Sequence, residues 1–241
     1  MKVLVIQQRM GIGDMVLFLS YIHAISKKEN SPVSILVKES SKATDFLNKD
    51  GHIDKIIILD RKERAGEHDG FFGFFNLVKK LKKESFEKVY IFNSSLRYAL
   101  LAKFAGIKKI YQYPLFKKRG QNIVKTAKKF TEESLGISVS TKPKLYLDKK
   151  LILEVKKKYN FSKEVKHICI GLSASGYSKK WPIERFITTF LKIADEIPCK
   201  FYLAGGKSDQ ALIKEFTNTS LGKNSISFEN MSINETLPII A

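Results

Sequence analysis

Apolar runs of strand length alternate with stretches of helical period along most of this chain. Short runs rich in Val, Ile and Leu fall at residues 2–7, 33–37, 55–59, 88–92 and 109–113. Between them apolar residues recur every three or four positions, most clearly over 15–26 and 94–105. Such alternation predicts βαβ units on a mostly parallel sheet. A basic, weakly patterned region at 116–144 interrupts it. The pattern then resumes with strand runs at 167–172, 200–204 and 225–228 and helical stretches at 183–197 and 209–218. Two α/β domains are therefore expected, residues 1–150 and 151–241. The second has three strand runs and closes on "NETLPIIA", which reads as the opening of a helix, so it is expected to be incomplete in this chain.

Composition narrows the class without choosing a function. A 44% hydrophobic chain of 241 residues can bury a sizeable core. No apolar run approaches the ~20 residues that a membrane-spanning helix needs, and "MKVLVIQQ" turns polar too early for a signal peptide. Cys169 and Cys199 stand far apart in apolar runs without CxxC spacing, which fits a reduced, cytoplasmic setting. The net charge of +19 suits nucleic acid, an anionic membrane surface or an anionic substrate alike. Many lysines come in helix-like runs such as "LVKKLKK" and "LEVKKKY", where a solvated face explains them, and no nucleic-acid module is present; no nucleic acid partner is expected.

Three stretches carry candidate chemistry. The first is "QQRMGIGDMVL", a glycine loop between a strand run and a helical stretch, with Asp14 where a helix should begin. It supplies Gly11 and Gly13 of a dinucleotide fingerprint but has Val16 in place of the third glycine, with Glu39 as the acid after the second strand. It lacks the Gly-Lys-Ser/Thr of a P-loop. Asp14 also reads as a plain N-cap for a helix starting at Met15. The second stretch is "ICIGLSASGYSKKWPIERF". Ser173, Ser175, Gly176 and Ser178 offer donors, Lys179 and Lys180 add charge, and Pro182 suits a first helical turn, so the loop is fit to hold a diphosphate. Its plain reading is a solvated loop with Trp181 plugging the core. The third is "KFYLAGGKSDQ", where Gly205, Gly206 and Asp209 follow a strand. There Asp209 is either a helix cap or a ligand at the carboxyl end of a sheet.

Taken in order, "VLVIQQRMGIGDMVLFLSYIHAI", "NSSLRYALLAKFAGIKKIYQY", "IGLSASGYSKKWPIERF", "YLAGGKSD" and, more weakly, "ENMSINETLPIIA" resemble the ADP-heptose:lipopolysaccharide heptosyltransferases of glycosyltransferase family nine. The resemblance implies a GT-B fold of two Rossmann-like, doubly wound domains, with acceptor bound on the first and nucleotide sugar on the second. It implies inverting, metal-independent transfer of a heptose from ADP-heptose to a lipopolysaccharide core acceptor, with the nucleotide sugar as substrate and no cofactor. Asp14 matches the family's "IGD" acid, taken as the general base, and Gly11 and Gly13 the acceptor-side loop. Lys179 matches the lysine that meets the leaving diphosphate, with Lys180 as its alternative. Ser175 matches a phosphate-binding hydroxyl, Asp209 an acid near the ribose, and Met231 a residue near the adenine. The family's later Asp-x-Gly-x-x-His motif is absent from this sequence.

Two further expectations complete the reading. The stretch "GFFGFFNLVKKLKK" reads as a core-facing helix with a lysine-rich outer face, or as a contact with an anionic inner membrane on the cytoplasmic side. The rival functions are a nicotinamide-dinucleotide-dependent enzyme using the first glycine loop and a basic nucleic-acid-binding protein.

Overall fold

The computed structural model describes residues 1–9, 11–62, 66–115, 122–174 and 176–240, apart from the side chain of Tyr177. The chain divides into two compact units, Met1–Tyr146 and Leu147–Ala241.

The first unit is built on five parallel strands, β1 (Val3–Ile6), β2 (Val33–Lys38), β3 (Ile53–Leu59), β4 (Lys88–Ile91) and β5 (Lys109–Gln112), in the order β3-β2-β1-β4-β5. The central strands are apolar on both faces because helices cover both. Leu4 and Ile6 of β1 join a cluster with Leu77, Val78 and Leu81 of α3 (Gly70–Glu84) and Tyr98, Leu101 and Ala102 of α4 (Leu96–Phe104). Val3 and Val5, pointing the other way, are equally buried. On that side α1 (Ile12–Lys28) and α5 (Ile123–Leu135) meet over Phe92, whose ring lies 5.1 Å from Phe18 and 5.2 Å from Phe130. A short α2 (Ala43–Phe46) follows β2 after a 3₁₀ turn at Glu39–Ser41.

The region expected to be weakly patterned holds α5. Asn122 caps it, accepting the N–H groups of Val124 and Lys125 at 3.0 and 3.1 Å, and Gly136 ends it in the left-handed conformation at φ 65°. Its buried Ala127, Phe130, Thr131 and Leu135 keep the spacing of one helical face, and the lysines between them hide that pattern.

The second unit repeats the scheme on a smaller sheet. Strands β6 (Lys166–Gly171), β7 (Cys199–Ala204) and β8 (Ser225–Ser227) run parallel in sequence order. Phe201 and Leu203 of β7 pack under α7 (Ile183–Glu196) and α8 (Gln210–Thr217). The alternate Tyr202 and Ala204 pack against α6 (Lys149–Tyr159) and α9 (Ile233–Ile240). Both units are thus doubly wound, and in such sheets ligands gather outside the carboxyl ends of the strands.

Candidate active site

The loop after β1 carries the first candidate. Gly11 has φ 102°, a conformation that L side chains rarely adopt, and it turns the chain directly into α1. The first helical bond runs from the N–H of Met15 to the carbonyl of Gly11, so α1 begins at Ile12 and not at Met15. Asp14 is therefore not the N-cap. It sits in the first turn, half-buried, and its carboxylate has no hydrogen bond or ion pair among the described residues. The N–H groups of Ile12, Gly13 and Asp14 lie ahead of the first helical bond and give this end its positive character. A Cβ built on Gly13 meets nothing within 4 Å, so the approach to the loop is open.

Beside it, the carboxyl ends of all five strands of the first unit and α5 enclose a cavity of about 1190 Å³. Gln8 follows β1, Lys38 ends β2, Arg61 follows β3, Ser95 follows β4 and Gln112 ends β5. Among the described residues Arg9, Lys38, Arg61 and Lys129 line it, Lys129 paired with the carboxylate Glu133 at 3.7 Å. Arg61 is held by Asp69, Nε to Oδ1 at 3.0 Å, and Tyr98 donates its hydroxyl to Gln8. The hydroxyl of Tyr113 is buried and has no partner among the described residues, so a donor remains on the cavity wall. A space of this kind suits a large, polar, anionic molecule. Sequence reasoning missed it, although Gln8, Lys38, Arg61, Ser95 and Gln112 each stand at or just past the end of an apolar strand run.

The second unit brings together two of the expected loops. Asp209 lies in a 3₁₀ turn (Lys207–Asp209) after β7, and its Oδ2 accepts the N–H of Gly206 at 2.9 Å. Ser173, from the loop after β6, and Lys180 stand close enough to its carboxylate to favour the charged form. Asp209 is accordingly held below the usual carboxylate range, by the Gly206 N–H first and then by Ser173, Ser208 and Lys180. It braces its own loop through Gly206 and does not cap α8 through its side chain. Gly205 is crowded here: a Cβ would stand 3.1 Å from Asp209 Cβ and 3.2 Å from Ile213 Cδ1. Gly206 is open.

Lys179 ends a 3₁₀ turn (Tyr177–Lys179), its N–H bonded to the carbonyl of Gly176 at 3.0 Å, and both Lys179 and Lys180 are exposed. Ser175 lies outside the described residues. Trp181 does not plug the core: it is 43% exposed, with its ring edge-on to Phe186 at 4.7 Å. Pro182 stands at the N-cap of α7, one place before the first helical turn. Met231 follows β8 and packs against the cluster of Tyr202, Phe228 and Ile239. Among the described residues no three His, Cys, Asp or Glu side chains gather as a metal site would require.

A family model described as glycosyltransferase family 9 (heptosyltransferase) matches residues 74–234. The chain belongs to glycosyltransferase family 9. No protein of curated function matches it. Among solved structures, E. coli ADP-heptose lps heptosyltransferase II aligns over 100% of this chain and 76% of its own at 16% identity, with a TM-score of 0.69. The family 9 glycosyl transferase of Veillonella parvula aligns over 98% and 72% at 15% identity and TM-score 0.75. E. coli heptosyltransferase WaaC with ADP aligns over 100% and 78% at 15% identity and TM-score 0.65. At such identities the likeness is one of fold, and the fold of this family 9 glycosyltransferase is GT-B-like. Neither the family match nor these relatives supports the dinucleotide-dependent or the nucleic-acid-binding alternative.

Proposed function

We propose that this family 9 protein transfers a heptose from ADP-heptose to a lipopolysaccharide core acceptor, with inversion and without a metal ion. The observation that carries the reading is Asp14, a carboxylate in the first turn of α1 with no protein partner among the described residues. An acid so placed is free to accept the proton of an acceptor hydroxyl as that oxygen attacks the anomeric carbon. The glycosidic bond to ADP then breaks, and the diphosphate leaves with the bonding electrons. Its growing charge is met by Lys179 and Lys180 and by the donors of the serine loop. Asp209, bonded to Gly206 and near Ser173, shapes the wall on which the nucleotide rests. Met231 borders the adenine.

One relative, in two solved structures, supports the donor class: E. coli heptosyltransferase WaaC is known with ADP and with ADP-2-deoxy-2-fluoro heptose. On the acceptor side, the cation-lined cavity of the first unit suits the phosphorylated and carboxylated sugars of a lipid-linked saccharide. The test is a titration of the protein with ADP and with NADH, followed by incubation with ADP-heptose and a core acceptor, read by mass spectrometry. ADP binding and a one-heptose gain in acceptor mass are expected. Preference for NADH, or no gain in mass with bound ADP, would overturn the reading.

A further inference from the structure

The α3–α4 layer buries one face and shows an apolar outer one. In α3, Gly73, Leu77, Val78 and Leu81 turn inward, while Phe71, Phe72 and Phe75 are 72%, 82% and 42% exposed. In α4, Leu96, Leu100 and Phe104 recur every fourth residue and are all exposed, Phe104 by 55%. The Phe75 and Phe104 rings stand 6.2 Å apart, so the two helices present one continuous apolar patch. Single exposed apolar side chains are ordinary on a protein surface, but a contiguous aromatic patch marks a place of contact.

Charge identifies the partner. Helical spacing puts Phe72, Phe75, Lys79, Lys82 and Lys83 on one side of α3, aromatic residues first and cations after. Lys79, Lys80, Lys82, Lys83 and Lys103 are exposed. The one acid in either helix, Glu84, is paired with Lys55. A symmetric contact with a second copy would set these lysines against themselves, on a chain already carrying +19. An anionic lipid surface satisfies both halves: rings enter the boundary between headgroups and acyl chains, and ammonium groups meet phosphates. The patch also borders the cavity. Leu96 follows Ser95, a cavity wall, and Phe71 stands two residues after Asp69, which holds Arg61 in that wall.

We propose that the α3–α4 face docks on an anionic bilayer, with Phe71, Phe72 and Phe75 inserted and the α3 lysines on the headgroups. Its purpose, bringing a lipid-linked acceptor to the cavity, rests on the function proposed above; the docking itself does not. The test therefore omits donor and acceptor. The protein is sedimented with vesicles of phosphatidylcholine alone or mixed with phosphatidylglycerol, at low and raised salt. Binding to the mixed vesicles is expected, at least about tenfold weaker to the neutral ones and in Phe71→Ser/Phe72→Ser, and weakened by salt. Lys79→Gln/Lys83→Gln should lose anionic preference without losing its melting temperature. Should the double-serine variant misfold, Phe72→Trp gives a second reading, an added indole emission that shifts blue with mixed vesicles. Equal binding to neutral and anionic vesicles, a Phe71→Ser/Phe72→Ser protein that folds and binds like wild type, or a Phe72→Trp protein whose added emission vesicles leave unchanged would overturn the proposal. So would self-association lost in the double-serine variant with vesicle binding intact.

Discussion

Asp209 accepts the backbone N–H of Gly206 at 2.9 Å, and Ser173 stands near the same carboxylate, so the loop after β7 meets the loop after β6. The Gly206 bond holds the loop after β7 beside the loop after β6, at the two strand ends proposed to receive the nucleotide. Asp209→Ala should therefore weaken ADP binding by about tenfold, or ~1.4 kcal/mol, through loss of loop geometry as well as of any direct contact. Calorimetric titration of both proteins with ADP measures it; unchanged affinity would leave Asp209 a purely local brace.

The neighbouring glycines should behave differently. Gly205→Ala places a Cβ 3.1 Å from Asp209 Cβ and must push that side chain or Ile213 aside. Gly206→Ala meets no atom of the free protein. Gly205→Ala is expected to cost about 1–3 kcal/mol of stability, as overpacking does, and Gly206→Ala under about 0.5. If the diphosphate lies against Gly206, its alanine variant still binds ADP more weakly. Thermal melts with and without ADP separate the two effects.

Arg61 separates acceptor from donor. It lines the cavity of the first unit and is held there by Asp69 at 3.0 Å. Arg61→Gln should raise the acceptor KM by about tenfold, the loss of one charge-assisted contact, while ADP affinity stays at the wild-type value. A changed ADP affinity with unchanged acceptor KM would assign the cavity to the wrong substrate.

Acid should loosen the first unit through His68. This ring is fully buried and its Nδ1 accepts the N–H of Asp60 at 3.0 Å, which requires the unprotonated nitrogen. Burial depresses its pKa, outweighing the attraction of Glu67. The folded state thus binds this proton less readily than the unfolded chain, so the stabilisation is full above the unfolded value of about 6.5 and is lost as pH falls below it. His52, also depressed by burial, acts in the same direction. The melting temperature should drop between pH 7.5 and 5.5, less steeply in His68→Asn. A rise on acidification would contradict this.

Much of the scaffold is legible from apolar periodicity, because parallel strands buried on both faces read as unbroken Val, Ile and Leu runs. The strands β1 to β8 all fall within two residues of their predicted runs. Helix α5 is hidden by the lysines between Ala127, Phe130 and Leu135, although Asn122 and Gly136 mark both its ends. The start of α1 is misplaced by three residues because Asp is so good a cap that it draws the boundary to itself, whereas Gly11 turns the chain by backbone freedom alone. The cavity escapes notice for a different reason. Lys38, Arg61 and Gln112 converge through the order β3-β2-β1-β4-β5, which no local pattern states. Asp209 is visible as an acid after a strand, but its nearness to Ser173, 36 positions earlier, depends on β6 and β7 pairing.

Asp14→Asn separates a general base from a helix-end acid. The carboxylate has no protein partner among the described residues, and the amide keeps its size and shape while giving up proton acceptance. The measurement is turnover of heptose transfer from ADP-heptose to a core acceptor, beside ADP affinity and melting temperature. A general base at this position means a fall in turnover of at least ~10²-fold, with ADP affinity and melting temperature close to wild type. Turnover within a few-fold of wild type would contradict it and leave Asp14 as one more acid complementing the positive end of a helix.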